Sequence, residues 1–400
     1  MPSLSGTRSF YTEFTKYNCD TIGTLDISRA RRVTTRAVYL WLISITLCIP
    51  ASANPDAFRV KYERTVMIQA SALPWSLVAN SASQTNVFSF AIQTSNEQSR
   101  LFVGRVTKNG VALTEMLNLA SVVRAIELSK DGRKMVIVTS SHRSSATVGI
   151  LLLDTRTLRR IGKIPEMLEP PAVSWGDARR FAVVERNSTT FQRVSESELR
   201  LFDSERSDGD FCRVLDEVSL PAGGSIDSVI VGGRNVLMYG GEPPLMYQIP
   251  KIGKLVKLPF AGQKLMPLGE FAMTNNGFCA ALTSAPPVDM ENGIPSLDSM
   301  VSAYQLKDNL AIRKLWQVNV GELGLDSPRL AIAEDETAFA IRTAANWQIF
   351  DCNHEEVSSH PTTVGCQECV SVVEGTKQSV FVCFVFVPAE GLNIQIYARK

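Results

Sequence analysis

Residues 123–165 read VRAIELSKDGRKMVIVTSSHRSSATVGILLLDTRTLRRIGKIP. An apolar run through Ile126 and Leu128 reaches a tight turn at Lys130-Asp131-Gly132, and a second run follows through Met135 and Val138. A polar loop comes next, then a third run from Ile150 to Leu153, a turn opened by Asp154, and a weaker fourth run around Ile161. Short apolar runs separated by turn chemistry read as antiparallel strands, and four of them in about forty residues make one compact meander.

The rest of the chain carries weaker copies. Turns of the first kind fall near Ser83, Asp131, Asp177, Gly233, Asn276, Asp335 and Thr376. The apolar runs that follow them are Val87 to Ile92, Met135 to Val138, Phe181 to Val184, Val236 to Tyr239, Phe278 to Leu282, Ala338 to Ile341, and Val380 to Val387. Neighbouring turns lie roughly 40 to 60 residues apart, the repeat length of a four-stranded propeller blade. The expected fold is therefore all-β, a β-propeller of seven blades. The last blade offers strands near Cys369 to Val373, Val380 to Val387 and Leu392 to Ala398, and no outer strand. The run Phe58 to Gln69 is free to supply it, pairing the two ends of the chain and removing exposed sheet edges. A β-sandwich would explain neither the repeated turns nor the missing last strand.

A second marker recurs where a third strand stops at an aspartate: Leu153-Asp154-Thr155, Phe202-Asp203-Ser204 and Phe350-Asp351-Cys352. Aspartate there can accept hydrogen bonds from the amides of the following turn. The combination resembles the WD-repeat-like propellers of secreted and periplasmic proteins, including TolB-type repeats, over about Phe58 to Lys400. The Gly-His and Trp-Asp dipeptides of intracellular WD repeats are absent, so the resemblance implies architecture and carries no partner or activity.

The N-terminal region is of another kind. Arg29, Arg31, Arg32 and Arg36 precede the uncharged run AVYLWLISITLCI from Ala37 to Ile49, and Ala51-Ser52-Ala53 follows Pro50. A basic flank, a short apolar segment and Ala-x-Ala read as a secretory signal peptide with a long leader, residues 1–53, cut before Asn54. The apolar run is shorter than the roughly twenty residues that span a bilayer, so the mature chain, 54–400, is expected to be secreted or periplasmic without membrane insertion. Lipid attachment at Cys48 would want a small residue where Leu47 stands. With 41 basic and 40 acidic residues and no basic block, nothing supports binding of nucleic acid through its phosphates.

Two long connections fall between second and third strands, Asn187 to Glu198 and Ser284 to Ser299. Strands alternate direction in a blade, so both loops emerge on one face, together with the connections between blades. His142, in the matching loop of the second blade, and His360, placed in the connection from the sixth blade to the seventh, are expected on that face too. Long loops on a rigid scaffold are where binding sites concentrate, although such insertions are also cheap in closure entropy. Met290, Ile294 and Leu297 are the apolar anchors this face offers. Asn187-Ser188-Thr189 is a glycosylation sequon, meaningful in a eukaryotic secretory route.

Cys352, His354, His360, Cys366 and Cys369 form the densest cluster of reactive types. One zinc site would need them together. Cys352 and His354 are expected in the turn after a third strand, and the others beyond the fourth, roughly 20 Å away across one strand. Val370, not histidine, follows the Cys366-x-x-Cys369 pair, which excludes haem attachment. Neither a metal nor another cofactor is expected. Cys369 and Cys383 are equidistant from Thr376 and so can face each other across a hairpin as a disulfide. Cys352 and Cys366 are the other pairing considered, and Cys212 and Cys279 read as buried free thiols. Nucleophile elbow, phosphate loop and HExxH helix are all missing from the sequence. The function expected is a non-catalytic scaffold binding an extracytoplasmic protein, peptide or glycan. The alternative is a propeller hydrolase, lactonase or quinoprotein-like oxidoreductase whose site is assembled at the central channel from scattered residues, with no catalytic residue identifiable in advance.

Overall fold

The computed structural model describes Cys48–Ile49 and residues 58–399, except residues 67–76, 96, 141–147, 168–170, 188–195, 209, 221–227, 233–234, 240–244, 259–270, 275–277, 285–297, 307–311, 323–328, 343–346, 354–355, 363–364, 376–377 and 388–390. The described chain is all-β. The opening stretch of sequence forms the strands Val122–Leu128, Lys134–Ser140, Val148–Asp154 and Arg160–Met167, each antiparallel to the one before. Its first turn closes as its residues dictate. The Ser129 hydroxyl donates to Asp131 Oδ1 at 2.7 Å, the Gly132 amide donates to the Ser129 carbonyl at 2.8 Å, and Gly132 takes a φ of 66°, where glycine carries no steric cost. The second turn is held by Asp154, whose Oδ1 accepts from the Thr157 amide at 2.8 Å and the Arg156 amide at 3.0 Å. Burial would raise the Asp154 carboxyl, but these bonds outweigh it and hold the group below the usual range.

The same meander recurs along the chain. The first occupies residues 77–119, the second 122–167, the third 172–219, the fourth 228–258, the fifth 271–322 and the sixth 330–361. The seventh joins Cys366–Glu374, Gln378–Val387 and Gly391–Arg399 to Phe58–Val66 from the other end of the chain. Every expected turn position, from Ser83 to Thr376, lies between a first and a second strand; Gly233, Asn276 and Thr376 themselves fall outside the described residues. The first strand of each meander lies against the first strand of the next, and Cys366–Glu374 lies against Leu77–Ser81. This is the arrangement of a β-propeller.

The second strands read as continuous apolar runs because both of their faces are buried. Alternate residues serve different neighbours. Phe88, Phe90 and Ile92 pack with Val380, Val382 and Phe384 of the seventh meander, while Val87 and Ala91 pack with Met135 and Ile137 of the second. Val136 and Val138 then turn the other way, toward Val173 and Phe181 of the third. The core is thus a series of layers between meanders. It tolerates little extra volume: a Cβ on Gly104 would come within 2.3 Å of the fully buried Phe88 ring.

Polar bonds between neighbouring meanders reinforce these layers. The Gln84 amide donates to the Lys130 carbonyl at 3.2 Å, Lys134 Nζ to the Ala178 carbonyl at 3.2 Å, and Arg180 Nη1 to the Pro250 carbonyl at 3.1 Å. The Ser379 amide donates to Asp335 Oδ2 at 3.0 Å, and the Val373 amide to the Thr85 carbonyl at 3.2 Å. The remaining third-strand aspartates are buried and charge-paired. Arg179 grips Asp203 with bonds of 2.8 and 2.6 Å, and Arg399 of the seventh meander donates to Asp351 of the sixth.

Several features differ from expectation. The sixth meander's third strand runs on through Asn353, so Cys352 pairs with Val357 instead of sitting in the turn. Its fourth strand, Glu356–Pro361, contains His360 opposite Ile349, not in a connection. Pairing persists to Pro361 because a terminal proline, with no amide hydrogen, ends a strand without leaving a donor unpaired. The outer strands of the second and third meanders also meet in parallel at Lys163 and Phe211, with the Lys163 amide donating to the Asp210 carbonyl at 3.0 Å. Cys48–Ile49, part of the expected leader, pairs in parallel with Gln317 and Val318. Among the described residues, no helix is long and apolar enough to cross a membrane.

Candidate functional site

Polar residues gather in a cavity of about 330 Å³ between the first strands of the first, second, sixth and seventh meanders. Asn80 is the link between two of them. Its Oδ1 accepts from the Leu128 amide at 3.0 Å, and its Nδ2 donates to Glu127 Oε2 at 3.2 Å. The Glu127 carbonyl in turn accepts the Trp175 indole N–H at 3.1 Å, which ties in the third meander. Across the cavity, Arg329 Nη1 donates to Glu368 Oε2 at 2.6 Å. Ser81, Ser371 and Trp347 also line it.

These carboxyls are not ordinary. Burial pushes Glu127 up to about 8, against the single hydrogen bond from Asn80 that lowers it. Burial also raises Glu368, and the neighbouring Arg329 charge only partly offsets it. Glu127 is therefore a neutral acid at pH 7, able to donate as well as accept, whereas Glu368 has a cation beside it. Neutral acid, amide, hydroxyl and ion pair together make a site suited to hydrogen bonding with a small polar molecule. Among the described residues, no group of three or more His, Cys, Asp or Glu is placed to hold a metal ion.

The state of Glu127 has a measurable consequence. Its carboxyl ionises near 4.5 in the unfolded chain and near 8 in the folded one. Between those values the folded chain keeps a proton that the unfolded chain has lost, so stability falls as pH rises. The slope approaches about 1.4 kcal/mol per pH unit for one such group. Glu127→Gln removes this contribution. Urea unfolding should show the variant gaining on the parent chain steadily from pH 5 to pH 8, and parallel pH profiles would mean that Glu127 titrates normally.

The cysteines sort by register. Cys369 and Cys383 stand directly opposite each other with Cα atoms 4.2 Å apart, and they are bonded. Cys366, named as a candidate partner for Cys352, faces Val385 and is a buried free thiol. Burial pushes Cys366 up to about 12 and Cys212, likewise free, up to about 11. Met290, Ile294, Leu297 and His142 lie outside the described residues, as do the side chains of His360, Cys352 and Cys279. What can be placed is where their loops begin. Residues 141–147, 188–195 and 285–297 leave from the pairs Ser140–Val148, Asn187–Glu196 and Ser284–Ser299, all at the junction of second and third strands.

Sequence reasoning passed over Asn80, Glu127, Arg329 and Glu368. A signal was present: Asn80 and Glu127 interrupt apolar first strands a few residues before the turns at Ser83 and Asp131.

No family model matches this chain, and no curated protein matches it. Solved structures do resemble it. The β-propeller domain of the Trilobed protease from Pyrococcus furiosus is 12% identical with a TM-score of 0.49, over 86% of this chain and 94% of that one. A chain of the Mitotic Checkpoint Complex is 10% identical with a TM-score of 0.46, over 97% and 98% of the two chains. The acylaminoacyl peptidase of Pyrococcus horikoshii is 11% identical with a TM-score of 0.48, over 82% of this chain and 51% of that one.

Proposed function

We propose that this chain is an exported, seven-bladed β-propeller, closed by its own N-terminal strand, that acts as a non-catalytic scaffold for an extracytoplasmic protein, peptide or glycan. The observation that carries the binding role is the common origin of the three connections 141–147, 188–195 and 285–297 at second-to-third strand junctions. In a blade, that end is shared by every such junction, so the three connections leave from the same end of the propeller. Closure is supported by the pairing of Phe58–Val66 with Gly391–Arg399 and by the contact of the seventh meander's first strand with that of the first. Export is supported by the leader sequence and by the Cys369–Cys383 bond, which suits an oxidising compartment.

Met290, Ile294 and Leu297 are the anchors assigned to that face, where a partner reaching both long loops would meet a standard interface of about 800 Å² per side. Replacing residues 285–297, and separately 188–195, by short Gly-Ser turns should leave the unfolding free energy within about 0.5 kcal/mol of the parent, because loop closure depends only weakly on length. Co-purification of the native partner should be lost. Its retention in the doubly shortened chain would exclude the loop face.

A second reading, a propeller enzyme working at its channel as a hydrolase, lactonase or quinoprotein-like oxidoreductase, is favoured by one observation. Glu127, held near 8, is a carboxylic acid available as a proton donor at neutral pH. Turnover that vanishes in Glu127→Gln and survives loop shortening would select this reading.

A further inference from the structure

We propose that the channel cavity bounded by Asn80, Glu127, Arg329, Trp347 and Glu368 binds a small, uncharged, polyhydroxylated molecule of the sugar or polyol class. The inference is independent of the loop face, since it concerns a different surface of the molecule.

Trp347 supplies the first reason. It is 1% exposed, it lines the cavity, and its indole Nε1 is buried with no hydrogen-bond partner. An indole N–H is a donor only, and a buried donor left unmade is costly. Because that N–H is fully covered, an acceptor oxygen arriving in the cavity satisfies it through a small shift of the ring. The contrast with Trp175 sharpens the point, because Trp175 spends its N–H on the Glu127 carbonyl at 3.1 Å.

The remaining lining requires that the oxygen belong to a group that donates as well as accepts. Asn80 has committed its carbonyl oxygen to Leu128 and one N–H to Glu127. Glu127 in its neutral form keeps an O–H to give and lone pairs to fill, as does Ser371. Hydroxyl groups match such mixed partners; carboxylates, which only accept, and ammonium groups, which only donate, do not.

Charge selects the same class. The titratable groups bordering the cavity, among the described residues, are Glu127 from the second meander, Arg329 beside the sixth meander's first strand, and Glu368 from the seventh. Arg329 and Glu368 are paired at 2.6 Å and cancel. Burial holds Glu127 neutral near pH 7. A charged ligand would enter without a counter-charge, at a high desolvation cost. Size excludes polymers: about 330 Å³ lies at the lower end of small-molecule pockets and accommodates about one sugar ring.

The test is isothermal titration calorimetry of the full mature chain with glucose, N-acetylglucosamine and myo-inositol, and with butylammonium and butyrate as charged probes. At about pH 6, at least one of the three polyols should bind saturably and both charged probes should not. Raising the pH to about 9 ionises Glu127 and should weaken polyol binding by about fivefold or more. Glu127→Gln, a permanent mimic of the neutral acid, should keep the binding and lose its pH dependence. Trp347→Phe, which keeps an aromatic ring without the N–H, should weaken binding about tenfold. If that variant does not fold, the pH profile of Glu127→Gln decides alone. Absence of saturable binding by all three polyols overturns the proposal, as does tighter binding of butylammonium accompanied by proton release.

Discussion

A chain that begins at residue 67, without the strand Phe58–Val66, will lose its cooperative fold and aggregate. The strand pairs with Gly391–Arg399 from Phe58 opposite Arg399 to Val66 opposite Leu392. That last strand is buried along residues 391–398. Removing its partner exposes a row of unpaired backbone groups on an apolar strand, the arrangement most prone to edge-to-edge association. Side chains are lost as well. Phe58 is buried with its ring 6.0 Å from that of Phe381, and Glu63 accepts from Asn393 and Gln395. Two further bonds reach the first meander: Arg64 Nη1 donates to the Val111 carbonyl at 2.6 Å, and the Tyr62 hydroxyl donates to the Lys108 carbonyl. Burial of one phenylalanine side chain is worth about 2 kcal/mol, and whole domains are stable by only about 5–15 kcal/mol. Size-exclusion chromatography and thermal melting should therefore show aggregate without a native transition. A soluble, cooperatively melting monomer would overturn the proposed closure.

Phe384→Ala should cost about 3–5 kcal/mol, the range for emptying a large aromatic from a core. Phe384 is fully buried, with ring centroids 6.0 Å from Phe88 and 5.0 Å from Phe90. It belongs to the last meander and they belong to the first, so the cavity would open where the two ends of the repeat meet. Neither partner can follow the missing ring, because Phe88 fits against Gly104 and Phe90 stacks on Phe102 at 4.7 Å. Phe386, two residues on and only half-buried, serves as the control, and its alanine variant should cost well under half as much. Urea unfolding measures both. Equal costs would show that the joint between first and last meanders is no better packed than its margin.

Local chemistry is what made the repeat legible. Lys130-Asp131-Gly132 predicts its own turn because the serine, aspartate and glycine that close it lie within a few residues of one another. The same holds for Asp154 and its bonds to Arg156 and Thr157. The buried second strands were legible as uninterrupted apolar runs, and the Cys369–Cys383 bond as two positions equidistant from one turn. Strand ends were less so. Local sequence puts His360 and Cys352 outside strands that in fact include them, since pairing to a neighbour extends a strand beyond what its own residues demand.

The sequence by itself therefore determined the unit: short antiparallel strands and the turns that join them. Only the tertiary structure decided the cavity. Asn80 meets Glu127 from 47 residues away, and Arg329 meets Glu368 from 39. Asn80, Glu127 and Glu368 lie within first strands and Arg329 just before one, and nothing local to any of them names its distant partner. The weakened acidity of Glu127 and Glu368 and the convergence of all four with Trp347 come from burial between separate meanders. Burial of that kind is a property of packed strands, and periodicity along one strand does not contain it.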